Sequence, residues 1–125
     1  MKERAVPTCI RAEADQRMIA RQFKAVQRFS EQLDAQANRW SSAGNPVRAR
    51  ILFVLQNERE LCPCDISDIL GMSVPGVSQH LKRLKEAGLV QGRRDGVMIL
   101  YTLSEAGQLL ADEIDMINNP ELARR

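Results

Sequence analysis

Aromatic side chains are scarce in this chain: one tryptophan, one tyrosine and three phenylalanines among 125 residues. Apolar residues still make up 44 % of it, so the core must be mainly aliphatic. A chain of this length forms one domain that buries roughly two thirds of its unfolded surface. Histidine occurs once, at His80, and is not placed to serve a thiol as acid or base. No apolar run is long enough to span a bilayer, and Met1-Lys2-Glu3-Arg4 lacks a signal-peptide core. The expectation is a soluble, cytoplasmic protein with no membrane partner. The three cysteines are an odd number, and Cys62 and Cys64 are too close for an ordinary structural disulfide. In a reducing compartment such a set favours metal binding or redox sensing.

The net charge of +2 says little, but its distribution says more. From Ser73 to Arg94 the sequence carries Lys82, Arg83, Lys85, Arg93 and Arg94 against Glu86, a net +4. From Ser104 to Asn119 it carries Glu105, Asp112, Glu113 and Asp115, a net −4. A basic middle and an acidic end suit a nucleic-acid face and a separate packing or dimer face.

Residues 1–11 have no periodicity and read as a flexible arm carrying Cys9; residues 12–119 read as the domain, and 120–125 as a tail. From about Ala12 to Trp40, Ile19, Phe23, Val26, Leu33, Ala37 and Trp40 recur at helical spacing. This is one long amphipathic helix, or two with a break near Ser30, packed on its own domain or on a second subunit. Asn45-Pro46 predicts an N-cap and first helical residue for a helix to about Gln56. A short helix from Asp65 to Leu70 follows, with Ile66, Ile69 and Leu70 buried and Gly71 after it. Ser73 caps the next helix, where Val74, Val77, Leu81 and Leu84 fall within about 80° of one another. Two strands around Asp95-Gly96, the favoured type I′ pair, predict a hairpin. Ser104 opens a last helix with Ala106, Leu109, Leu110, Ile114 and Ile117 apolar, stopped by Asn118-Asn119-Pro120.

Helix, three-residue turn, helix and hairpin are a helix-turn-helix with a wing. The fold class is mainly α with a β-hairpin (α+β), a winged helix-turn-helix. Its second helix presents Ser78, Gln79, Lys82 and Arg83 outward, and Pro75 and Gly76 let its start approach DNA closely. Gln79 is the first choice for a base contact, because an amide pairs with adenine in two places. Lys82 or Arg83 suits phosphate, and Arg93 and Arg94 at the hairpin suit phosphate or the minor groove. His80 flanks the buried face; scaffold hydrogen bonding is its first reading and phosphate contact its second.

Asn45-Pro46-Val47-Arg48, Leu61-Cys62-Pro63-Cys64-Asp65-Ile66, Val77-Ser78-Gln79-His80-Leu81-Lys82-Arg83-Leu84 and Ala87-Gly88-Leu89-Val90 resemble the ArsR/SmtB family of metal-sensing repressors. The resemblance implies a homodimer whose first and last helices form the interface. It also implies a repressor of a resistance or efflux operon that leaves double-stranded operator DNA on binding a metal ion.

Inside a regular helix Cys62 and Cys64 would stand about 200° apart, but in an extended segment residues i and i+2 share a side. Pro63 favours the latter at a helix start. Free N–H groups and the positive dipole end there favour thiolate, which selects soft ions. Similarity to the CadC-like branch implies a third ligand, Cys9 on the arm, acting from the other protomer. The branch's second arm cysteine has no counterpart, since Arg11 or Glu13 holds its place. The implied site is three thiolates for Cd(II), Pb(II), Hg(II) or As(III), with no organic cofactor. The arsenite branch's third helix cysteine is replaced by Ser67. The zinc branch's positions on the last helix correspond to Glu105 and Gly107, and no histidine lies in that helix.

The alternative is a thiol redox or persulfide sensor of the same fold, in which Cys62 or Cys64 oxidises against Cys9. An enzyme is not expected, because no βαβ pattern frames the cysteine pair.

Overall fold

Side-chain caps fix most of the helix starts. A computed structural model of the chain describes residues 10–118 and 121. Cys9 with most of its arm, the Asn119-Pro120 stop and most of the tail lie outside them. By internal contacts the chain divides into two units, Met1–Leu33 and Asp34–Arg125. Helix α1, Gln16–Ala43, has residues in both.

In the first unit the Asp15 carboxylate accepts from the Met18 N–H at 3.0 Å, so the helix begins after Asp15 and not at Ala12. There is no break at Ser30. Its hydroxyl donates to the Val26 carbonyl at 2.6 Å and is satisfied without leaving helical geometry. Phe23, Val26 and Leu33 are more than half exposed.

In the second unit α1 continues through Ser41 and Ser42 to Ala43, past the expected stop. α2, Pro46–Glu58, starts as predicted: the Asn45 carbonyl oxygen of the side chain accepts from the N–H groups of Val47 and Arg48 at 2.9 and 3.1 Å. It runs two residues beyond Gln56 and ends where Arg59 takes φ 72°. α3, Pro63–Leu70, ends at Gly71 in left-handed geometry, φ 67°, which glycine adopts without cost. α4, Val74–Glu86, is capped by Ser73, whose hydroxyl accepts from the Gly76 N–H at 3.2 Å. Ser67 locks the intervening turn. It is buried, its hydroxyl donates to the Met72 carbonyl, and its own carbonyl accepts from the Met72 N–H at 3.1 Å.

Strands β1, Val90–Asp95, and β2, Met98–Leu103, pair antiparallel with Asp95 opposite Met98. The loop is therefore Gly96-Val97, one residue later than expected. Positive φ at Gly96 alone fits a type II′ turn and not type I′. Helix α5, Glu105–Asn118, follows Ser104, whose hydroxyl accepts from the Gly107 N–H at 3.0 Å and donates to the Gly88 carbonyl at 2.6 Å.

The core is aliphatic, as the composition requires: Ile51, Leu52, Leu55, Leu61, Ile66, Val77, Leu81, Leu84, Leu89 and Val90. Fully burying each such side chain contributes about 1.5–3 kcal/mol. Two expected core residues lie outside it. Ile69 is 51 % exposed, because the buried arc of α3 runs from Ile66 through Leu70 to Ser67 and Ile69 stands about 110° from its middle. Val74, in the first turn of α4, is also exposed. On α5 Ala111 is buried, while Leu109 and Ile117 of its expected apolar set are exposed. At Gly107 an added Cβ would stand 2.0 Å from the Leu89 carbonyl oxygen, so α5 crosses the Leu89 backbone at a distance only glycine permits. Among the described residues no helix is long and apolar enough to cross a membrane. α3, its turn, α4 and the hairpin are the expected winged helix-turn-helix.

Candidate nucleic-acid interface and thiol site

α4 divides its residues cleanly. Val77, Leu81 and Leu84 are fully buried and hold the helix to the core, while Pro75, Ser78, Gln79, Lys82 and Arg83 are exposed and Gly76 is half-buried. The fixed inner face aims the outer one. Short polar groups and two cations on a packed helix are what major-groove readout requires.

His80, half-buried on the edge of that helix, is held by a residue the sequence reading did not single out. Arg48 Nη1 lies 3.2 Å from His80 Nδ1, and Arg48 Nε donates to the Ser42 carbonyl at 2.6 Å. A guanidinium can only donate, so Nδ1 accepts and the ring is the neutral Nε2–H tautomer. Burial is the main cause that pushes the His80 pKa below its ordinary value, with the charges of Arg48 and then Arg83 adding to it. The same surroundings oppose a positive charge on His80 at the edge of α4. The signal for Arg48 was its place after the Asn45-Pro46 cap, but its partner lies 32 residues away.

The two hairpin arginines differ. Arg94 is exposed beside the turn. Arg93 is clasped by Glu60, Nε to Oε2 at 2.7 Å and Nη2 to Oε1 at 2.9 Å, and its guanidinium holds the Glu60 carboxyl below the usual carboxylate range. The charge of Arg93 is thus partly neutralised by Glu60.

Cys62 is the N-cap of α3, with extended φ −89° and ψ 164°, and is 8 % exposed. Its N–H donates to Asp65 Oδ2 at 3.1 Å, and its carbonyl accepts from the Ile66 N–H at 3.2 Å. Pro63 opens the helix, so Cys64 is its second residue and is exposed. The expected extended run through both cysteines is cut short, because the helix begins at Pro63 and not Asp65. Both thiols are free. At the N-terminal end of α3 the donor set is soft and suits the expected ions, but it numbers two. Among the described residues no cluster of three or more possible ligands forms. Ser67 is committed to the turn and Gly107 to backbone packing, so neither position offers a ligand.

These features define a winged helix-turn-helix whose second helix carries an outward polar and basic face. Residues 45–91, from the α2 cap into β1, match the family described as bacterial regulatory protein, arsR family. The arsenic resistance transcriptional regulator ArsR1 of Pseudomonas putida is 41 % identical over 57 residues, 46 % of this chain and 44 % of that protein. A cadmium resistance regulatory protein, the CadC homolog of Staphylococcus aureus, is 33 % identical over 66 residues, 53 % of this chain and 54 % of that protein. The chain spans about half the length of these curated relatives. The structure of reduced HlyU from Vibrio cholerae superposes with a TM-score of 0.66 at 26 % identity, covering 73 % of this chain and 96 % of that one. Residues 45–91 are an arsR-family helix-turn-helix domain. These relatives are regulators and not enzymes.

Proposed function

We propose that the protein is a metal-responsive repressor that binds double-stranded operator DNA as a homodimer and is released when Cys9, Cys62 and Cys64 hold a soft ion. The observation that carries the proposal is the position of the thiol pair: Cys62 and Cys64 are the N-cap and second residue of the helix whose turn leads into α4. The names of the arsenic and cadmium relatives support a thiophilic effector. Cd(II), Pb(II), Hg(II) and As(III) are the ions three thiolates would select.

DNA recognition falls to Pro75, Gly76, Ser78, Gln79, Lys82 and Arg83 in the major groove, with His80, Arg93 and Arg94 at its margins. Dimerisation is supported by the apolar residues left exposed on the first and last helices: Phe23, Val26 and Leu33 in the first unit, and Trp40, Leu109 and Ile117 in the second. A dimer reads two half-sites about 34 Å apart, so a small change in the spacing of its two α4 helices weakens both contacts together. Cys9, Cys62 and Cys64 would hold the ion, which would supply the attraction between the thiolates. Cys62 then carries the change into α3, and a coupling free energy of about 1–3 kcal/mol is enough for release.

Titration of the reduced protein with each of the four ions, following ultraviolet thiolate-to-metal bands and operator release together, tests this. One ion per protomer with three thiolates is expected. Absence of any such band would overturn the metal reading. A second reading, a thiol redox or persulfide sensor, is supported by the exposure of Cys64 beside a helix N-terminus. It requires release by peroxide or persulfide without metal, reversed by dithiothreitol.

A further inference from the structure

Leu61 precedes Cys62 and is itself part of the wing. Its N–H donates to the Tyr101 carbonyl at 3.1 Å, and its carbonyl accepts from the Tyr101 N–H at 2.8 Å, an isolated antiparallel bridge on β2. Tyr101 turns both backbone groups toward Leu61, so the bridge lies on the edge of β2 away from β1, and Gly92 opposite is a non-hydrogen-bonded pair. A Cβ on Gly92 would stand 3.2 Å from Tyr101 Cε1, which shows the ring lying against bare backbone there. One residue before Leu61, Glu60 reaches β1 through its two bonds to Arg93. Glu60 and Leu61 therefore grip both strands of the hairpin, while Cys62 is fastened on its other side to Asp65 and Ile66 of α3.

We propose that Glu60 and Leu61 transmit displacement of Cys62 directly to the β1–β2 hairpin, making the wing a second release element beside α4. This rests on Cys62 and Cys64 being the effector's ligands and adds the path the signal takes. Cys62 is buried and Cys64 exposed, and along this path bringing both thiols to one ion turns the backbone at Cys62. Neighbouring Cα atoms are fixed at about 3.8 Å, leaving no slack between Cys62 and the bridge. The turning is resisted on one side by the α3 cap and on the other by Leu61, and whatever the cap does not absorb reaches Tyr101.

The test is amide hydrogen exchange by NMR on the reduced full chain, alone and with Cd(II), the thiolate-to-Cd(II) band being followed in the same samples. Local opening sets such rates, so Cd(II) is expected to speed exchange at Leu61, Tyr101 and Arg93 by about tenfold or more. Unchanged exchange there, with the band present and α4 amides altered, would overturn the proposal while leaving the metal reading intact. If no band forms, the metal reading fails. Methyl methanethiosulfonate on Cys9→Ser/Cys64→Ser, added until mass spectrometry shows Cys62 fully capped as a mixed disulfide, then probes the same coupling: faster exchange at the three amides supports it and unchanged exchange overturns it. In Glu60→Gln the Cd(II)-induced change is expected to persist at Tyr101 and to fall about threefold or more at Arg93. An equal change at Arg93 would remove Glu60 from the path.

Discussion

Glu60 and Arg93 meet in a two-pronged ion pair, 2.7 and 2.9 Å, between the residue two before the thiol N-cap and the middle of β1. The planar guanidinium matches both carboxylate oxygens at once, the geometry that makes such pairs specific. It also means that the two arginines of the hairpin are not equivalent toward DNA.

Arg94→Gln is expected to weaken DNA binding across all sequences and to flatten the dependence of log K on log salt by about one per protomer. Arg93→Gln, which removes a charge already matched by Glu60, is expected to cost less. Glu60→Gln frees that guanidinium and is expected to strengthen binding. Fluorescence anisotropy of labelled duplexes at several salt concentrations checks all three. Equal losses for the two arginine variants would contradict the assignment.

Gly107→Ala places a methyl group 2.0 Å from the Leu89 carbonyl oxygen, and α5 must move away from the Leu89 backbone to admit it. A loss of about 3 kcal/mol is expected, at the upper end for overpacking because the obstructing atom is backbone. Urea unfolding should show a lower midpoint with an unchanged slope.

Protonation of His80 is opposed by burial and by the charges of Arg48 and Arg83. The unfolded chain, with an ordinary histidine pKa near 6.5, therefore takes up its proton at a higher pH than the native state does. Stability is kept above about pH 6.5 and falls as the pH drops from there through the lower native value. His80→Gln should remove this part of the pH dependence, read from unfolding free energies between about pH 7 and 5. The reverse slope in the native protein would contradict the neutral tautomer.

Cys64 is exposed and Cys62 buried. N-ethylmaleimide should therefore modify Cys64 roughly tenfold faster in the native protein, with the difference lost in denaturant. Mass spectrometry of the digested protein distinguishes the two. Equal rates would show that the α3 N-terminus opens readily without any effector.

The parts of the fold legible in the sequence are those governed by neighbours in the chain. Asn45-Pro46, Gly71, Ser73 and Ser104 mark helix ends because a cap bonds within four residues of itself. Asp95-Gly96 announced a hairpin, but the cross-strand pairing moved its loop to Gly96-Val97. Periodicity showed that α3 has an apolar side without locating its centre, so Ile69 was misplaced. At the candidate site the two thiols and the outward face of α4 were legible as residue types at set spacings. Arg48 with His80, Glu60 with Arg93 and Leu61 with Tyr101 were not, because their partners lie 32 to 40 residues away and no local pattern marks them. Ser67 and Gly107 were read as lost ligand positions, whereas in the fold one fastens the helix-turn-helix and the other admits a backbone.

The most direct measurement compares DNA affinity with and without one Cd(II) per protomer in the wild-type protein, Cys62→Ser and Cys9→Ser, using a duplex from the protein's own promoter. In the wild type a drop of about tenfold or more is expected, equivalent to about 1.4 kcal/mol of coupling. The drop should vanish in Cys62→Ser and shrink in Cys9→Ser, while metal-free affinities stay alike. A wild-type protein that binds Cd(II) through its thiolates and holds DNA as tightly as before, or a Cys62→Ser variant that still releases it, would contradict the role assigned to the thiol pair.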